Sequence, residues 1–157
     1  MKRIIILLAF IFVSSVFSQS LVLDISYLRI ENDKNRSTRT EKFSILSSSS
    51  SYTLEYTGKW MPNEGNEVKN CDLSSAALND IVKSVQDNKV AVNESFYAKE
   101  RTNGESLFYV IISVKMVYDG TPYEILLDGE SNLVMENRNY IHVIELIKDL
   151  RRIIKDC

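Results

Sequence analysis

Leu21, Leu23, Ile25 and Tyr27 alternate with Val22, Asp24, Ser26 and Leu28. A period of two predicts a strand with one better-buried face. From Glu31 to Lys42 almost every residue is polar or charged, which predicts a mobile surface loop. Phe43 to Leu46 and Tyr52 to Tyr56 then flank the serine run Ser47 to Ser51. Two strands joined by a serine-rich turn follow from that pattern, with Tyr52, Leu54 and Tyr56 on one face. Thr57 to Asn70, with Gly58, Pro62 and Gly65, has the composition of a long ordered loop.

Helical spacing first appears at Ala77, Leu78, Ile81, Val82 and Val85. Ser74 can cap that helix by accepting a hydrogen bond from a free first-turn amide, and Leu73 and Leu78 stand where a hydrophobic staple requires them. The predicted helix runs from about Ser75 to Asn88. Leu107 to Tyr118 is the most apolar segment after the N-terminus and predicts a central strand buried on much of both faces. Asp119-Gly120 is a strong hairpin signal leading to Tyr123, Ile125 and Leu127, and Pro122, which lacks an amide donor, places that partner at the sheet edge near the turn. A second helix, about Tyr140 to Asp156, carries the stripe Tyr140, Val143, Ile144, Ile147, Leu150 and Ile154.

The order strand, strand, strand, helix, strand, strand, helix predicts an α+β fold, with an antiparallel sheet of about five strands and two helices on one face. Lys2, Arg3, the apolar run Ile4 to Val13 and the small residues around Ser18 predict a cleavable secretory signal peptide over residues 1–18, an uncleaved anchor being the alternative. One α+β domain over residues 19–157 would remain. No later segment is long and apolar enough to span a bilayer as a helix. The leader holds two of the 19 Lys and Arg and none of the 21 Asp and Glu, so its removal takes the net charge from −2 to −4. That mild acidity argues against nucleic acid or an anionic membrane as the main partner.

Export changes the meaning of the two cysteines. In a secreted or periplasmic setting Cys71 and Cys157 predict a disulfide, against the alternatives of free thiols or a pairing of Cys157 between molecules. Cys71 precedes the first helix and Cys157 follows the second, so a bridge implies two antiparallel helices side by side.

Catalytic chemistry is poorly represented. The one histidine, His142, falls with Glu145, Asp149 and Arg152 on the predicted solvent face of its helix. One histidine and two distant cysteines are too few ligands for zinc or copper, and the five scattered glycines form no phosphate-cradling loop or nucleophile elbow. Asp33, Asn35 and Ser37 imitate the first ligands of a calcium loop, but Thr38 and Ser44 replace its glycine and closing glutamate. Glu124 and Asp128 share a strand face roughly 13 Å apart, too far for a glycosidase pair. Asn35 and Asn93 begin glycosylation sequons.

Aromatics remain: Tyr52, Tyr56 and Trp60, with Phe96 and Tyr97, make either core packing or a binding surface, and the second requires Trp60 to keep an exposed face. The expectation is an exported, non-catalytic protein-binding module without a cofactor, of inhibitor, immunity or accessory type, acting on another exported or envelope protein. A motif-free hydrolase or isomerase and a carrier of a small apolar ligand are the alternatives.

Overall fold

In a computed structural model, residues 20–32, 36–48, 51–62, 65–98 and 107–157 are described. The predicted leader, and Asp33 and Asn35 of the calcium-like run, lie outside them. Seven strands, β1 (Leu21–Glu31), β2 (Thr38–Ser48), β3 (Ser51–Met61), β4 (Gly65–Leu73), β5 (Glu94–Tyr97), β6 (Phe108–Tyr118) and β7 (Thr121–Glu130), form one sheet. Its order is β4-β3-β2-β1-β6-β7-β5. All neighbours are antiparallel except β5 and β7, which run parallel. The helices are α1 (Ser75–Asp87), α2 (Ser131–Val134) and α3 (Arg138–Asp156).

The α+β class is as expected, but the sheet is larger and mixed. The segment expected as a long loop after Thr57 is the end of β3 followed by β4, and β2 begins at Thr38 within the expected polar loop. β4 escapes the alternation rule because it is an edge strand: only Cys71 is buried, so nothing demands apolar residues elsewhere. β5 has four residues, too few to show a period.

Strand periodicity sorts the side chains into two layers. The inner face holds Leu21, Leu23, Ile25, Tyr27, Phe43, Ile45, Leu54, Val110, Ile112, Val114, Ile125 and Leu127, all buried. Both long helices meet the sheet through that face, Arg151 at Glu41, Gln86 at Tyr118 and Cys157 at Cys71. They add Ile81, Val82 and Val85 from α1, and Tyr140, Val143, Leu146, Ile147, Leu150 and Ile154 from α3, to one core cluster. β6 is therefore buried on one face only. On its other face Tyr109 and Ile111 are half-buried and Val117 is exposed.

Local chemistry explains the joints. Ser74 Oγ accepts from the Ala77 amide at 3.1 Å, and Asn137 Oδ1 from the Asn139 amide at 2.8 Å, capping α1 and α3. Asp119 and Gly120 have φ of 49° and 75° and close the two-residue β6–β7 hairpin, a backbone that glycine adopts without steric cost. β5 pairs with β7 only from Ile125 onward, so β5 leaves the Pro122 end of β7 unpaired. Cys71 and Cys157 are bridged, with Cα atoms 6.0 Å apart. The bridge holds the start of α1 near the end of α3, and Ser84 Oγ donates to Asp149 at 2.6 Å, so the two helices run antiparallel.

Candidate functional site

Two features of the structure bear on function: a buried carboxylate on the inner face and an apolar row on the outer one. Counting back by twos from Ile45 and Phe43 brings Glu41 and Arg39 to the inner face, and Glu41 is fully buried there. Its Oε1 accepts from Arg151 Nε at 3.0 Å, Tyr56 Oη at 3.1 Å and Arg39 Nη2 at 3.2 Å. Arg39 Nε lies 2.8 Å from Oε2, which also pairs with Arg151 Nη2. Aromatic rings flank the guanidinium groups, Arg151 lying 5.8 Å from the Tyr27 centroid and Arg39 5.7 Å from that of Trp60. Gly58 makes room for this: a Cβ there would stand 2.7 Å from Trp60 Cη2.

Burial pushes the Glu41 carboxyl upward, but hydrogen bonds from Arg151 and Arg39 and their charge outweigh it, and the pKa is lowered. Burial and the neighbouring carboxylate raise the Tyr56 hydroxyl. A carboxylate held ionised, with both oxygens engaged, is a poor proton acceptor. The arrangement does the work of a latch, tying α3 to β2 and β3.

The outer face has no described helix over it. Val22 lies opposite Val117, and Val117 opposite Pro122. Leu23 faces Ile45, so the next step along the ladder sets Leu46 beside Val22. Leu46, Val22, Val117 and Pro122 thus form a row four strands wide. Leu46 is 44% exposed, Val22 37% and Val117 39%. The adjacent row is polar, with Ser44, Asp24, Lys115 and Glu124 side by side. An open depression of about 430 Å³ between the two rows is lined by Val22, Asp24, Lys115, Val117 and Glu124, with Asn93 at its side.

The aromatic set is not brought together. Tyr52, Tyr56 and Trp60 are inner-face residues of β3, while Phe96 and Tyr97 lie on β5, five strand spacings or about 24 Å across the sheet. Tyr56 is buried beneath Glu41, and Tyr52 and Phe96 pack against the core. Trp60 keeps a partly exposed ring, and Tyr97, 55% exposed, points to the outer face.

Other expected positions also resolve. His142 is half-buried rather than solvated, and its buried Nδ1 has no hydrogen-bond partner among the described residues. Glu145 pairs with Lys148 at 2.6 Å instead of with His142. Glu124 lies 3.6 Å from Lys115, and Asp128 accepts from Tyr109, whose hydroxyl is pushed up to about 12 by that bond and by burial. Asn93 Oδ1 accepts from the Glu124 amide at 2.8 Å. Among the described residues no group of three or more His, Cys, Asp or Glu side chains could hold a metal ion, and no helix is long and apolar enough to cross a membrane.

No family model matches the chain, and no curated protein matches it.

Proposed function

We propose that this chain is an exported, non-catalytic protein-binding module that uses the helix-free face of its sheet. The observation that carries the reading is the contiguous row Leu46, Val22, Val117 and Pro122, exposed to water beside the charged row Asp24, Lys115 and Glu124. An apolar strip with a polar rim has the anatomy of an interface: the strip gains by leaving water and the rim sets orientation. The leader-like residues 1–18 and the Cys71–Cys157 bridge support an oxidising destination, and hence another exported or envelope protein as partner. An inhibitor, an immunity-type protein and an accessory subunit all fit.

A hydrolase or isomerase draws no support from Glu41, whose oxygens are occupied. A carrier of an apolar ligand draws none from the space between sheet and helices, filled by Phe43, Leu54, Ile112, Leu127, Leu146 and Ile147.

The test is capture of a partner from the exported fraction by the disulfide-intact protein, repeated with Val117→Asp. One stoichiometric partner, bound at least about tenfold more weakly by a variant with an unchanged unfolding midpoint, is the expected result. A partner held equally well by the variant would place the contact elsewhere, and an active-site titrant that labels the protein would replace binding by catalysis.

A further inference from the structure

The free edge of β4 has a sequence symmetry about its centre. Among the described residues β4 pairs only with β3, and its other side carries unpaired backbone donors and acceptors over nine residues. Val68, at its middle, is 68% exposed, more than any other large hydrophobic residue in a strand. Such an edge invites another strand unless something opposes it.

The sequence around Val68 is Asn66-Glu67-Val68-Lys69-Asn70. Read backwards it has the same residue types with the two charges exchanged. Laid antiparallel against itself about Val68, β4 therefore sets Val68 against Val68, each Asn66 against Asn70, and each Glu67 against Lys69. Glu67 and Lys69 lie 3.4 Å apart within one chain, on the inner side of β4 with side chains 42% and 36% exposed, so the paired edges would form an alternating square of four charges. The same alignment puts Gly65 opposite Cys71, and the residue without a side chain faces the one whose sulfur is tied to α3. Alignments centred on Glu67 or on Lys69 bring like charges face to face, which disfavours them.

From this we infer that β4 is a self-association edge: a second copy of the chain adds its own β4 antiparallel about Val68, giving a two-fold dimer with one continuous sheet. Such an axis stands perpendicular to the sheet, keeps the helices of both copies on one side and leaves both outer faces open on the other. The contact is isologous, so it closes at two copies. Seven residues a side bury less than the roughly 800 Å² per partner of a standard interface, so the dimer forms and dissociates with concentration over the micromolar range. The edge is remote from the Val22–Val117 row, and the inference does not depend on the partner-binding reading.

Sedimentation velocity on the disulfide-intact protein, with exchanged charges, tests it. Glu67→Lys sets lysine against lysine and Lys69→Glu sets glutamate against glutamate, so each variant alone should show a dimer Kd raised about tenfold or more. Mixed together, the two variants are complementary across the axis at both positions and should form a heterodimer, although neither has an intrachain ion pair at 67 and 69. Recovery on mixing cannot come from repair of the fold, because each chain keeps its own defect. A wild-type protein that remains monomeric throughout the micromolar range overturns the inference, as does a dimer indifferent to either charge reversal.

Discussion

Glu41 ties Arg39, Tyr56 and Arg151 together on the inner face. Removing one partner from a fully buried ion pair costs about 3–5 kcal/mol. Here Arg39 and Arg151 keep 39% and 31% of their side chains in contact with water, which can take over part of their solvation. Glu41→Gln is therefore expected to cost about 2 kcal/mol in urea unfolding. The pH dependence has a definite sign. Because the folded pKa is depressed, the stabilisation is complete above the unfolded value of about 4.3 and is lost as pH falls through the folded one. Wild type and Glu41→Gln should converge in stability below that window and separate above it; parallel curves would show that the carboxyl titrates alike in the folded and unfolded states and is not held ionised by the fold. The inward direction of Arg39 and Glu41 was legible as the period of two running back from Phe43. Their partner was not: Arg151 lies 110 residues away, and its basic neighbours Lys148, Arg152 and Lys155 suit a solvent-facing helix end equally well.

At the scale of elements, what the sequence made readable followed what is buried. β1, α1 and α3 bury a full stripe each; the alternation marks the start of β1 at Leu21 but stops three residues short of its end at Glu31, the two helices agree with their expected bounds to within two residues, and the Asp119-Gly120 turn carries its own signal. β4 and β5 stand at the two edges, bury little, and are held mainly by backbone ladders that composition does not record. In α3, Leu146 was missed from the core stripe although it is fully buried, because the helix packs over a wider arc than one ridge. The disulfide joins one of these edge strands to one of the helices that bury a full stripe. Closing a loop with a sequence separation of 86 is worth about 4–5 kcal/mol in the chain-entropy account. Cys71→Ala/Cys157→Ala should lower the chemical denaturation free energy by about that amount or somewhat less. Amide exchange should quicken most in β4 and the last turn of α3; uniform quickening along the sheet would mean that β4 has no stability of its own to lose.

Across the whole molecule the helices cover one side of the sheet, and the two proposed contacts use what they leave open. The outer row runs from Leu46 on β2 to Pro122 on β7, two to five strand positions from the self-pairing edge β4, and Val117 on β6 is four positions away. The two should behave independently. Val68→Lys is expected to abolish the dimer while leaving partner affinity within about twofold, and Val117→Asp to do the reverse, since sites this far apart with no shared contacts are close to additive. Loss of both activities in either single variant would show that the partner bridges the two copies. Neither surface was readable beforehand as a surface. Val22 and Val117 looked like ordinary members of alternating or apolar strands, and only the alignment of β1 with β6 and β7 makes them neighbours. The aromatic residues that looked most like contact groups are divided between inner layer, core and edge for the same reason: register, not composition, decides which side chains meet.

The bridge from Cys71 to Cys157 also changes how the molecule would carry a mechanical load. Tension applied between Ser20 and Cys157 passes along β1 to β4 and then through the sulfurs, by-passing residues 72 to 156, so α1, β5, β6, β7, α2 and α3 hang in a covalently closed loop outside the line of force. Stretched to its limit the oxidised chain from Ser20 to Cys157 reaches about 180 Å, against about 480 Å once the sulfurs part. A cargo fixed at one end and an anchor at the other would thus be held on a short leash in oxidising surroundings and on one more than twice as long in reducing ones.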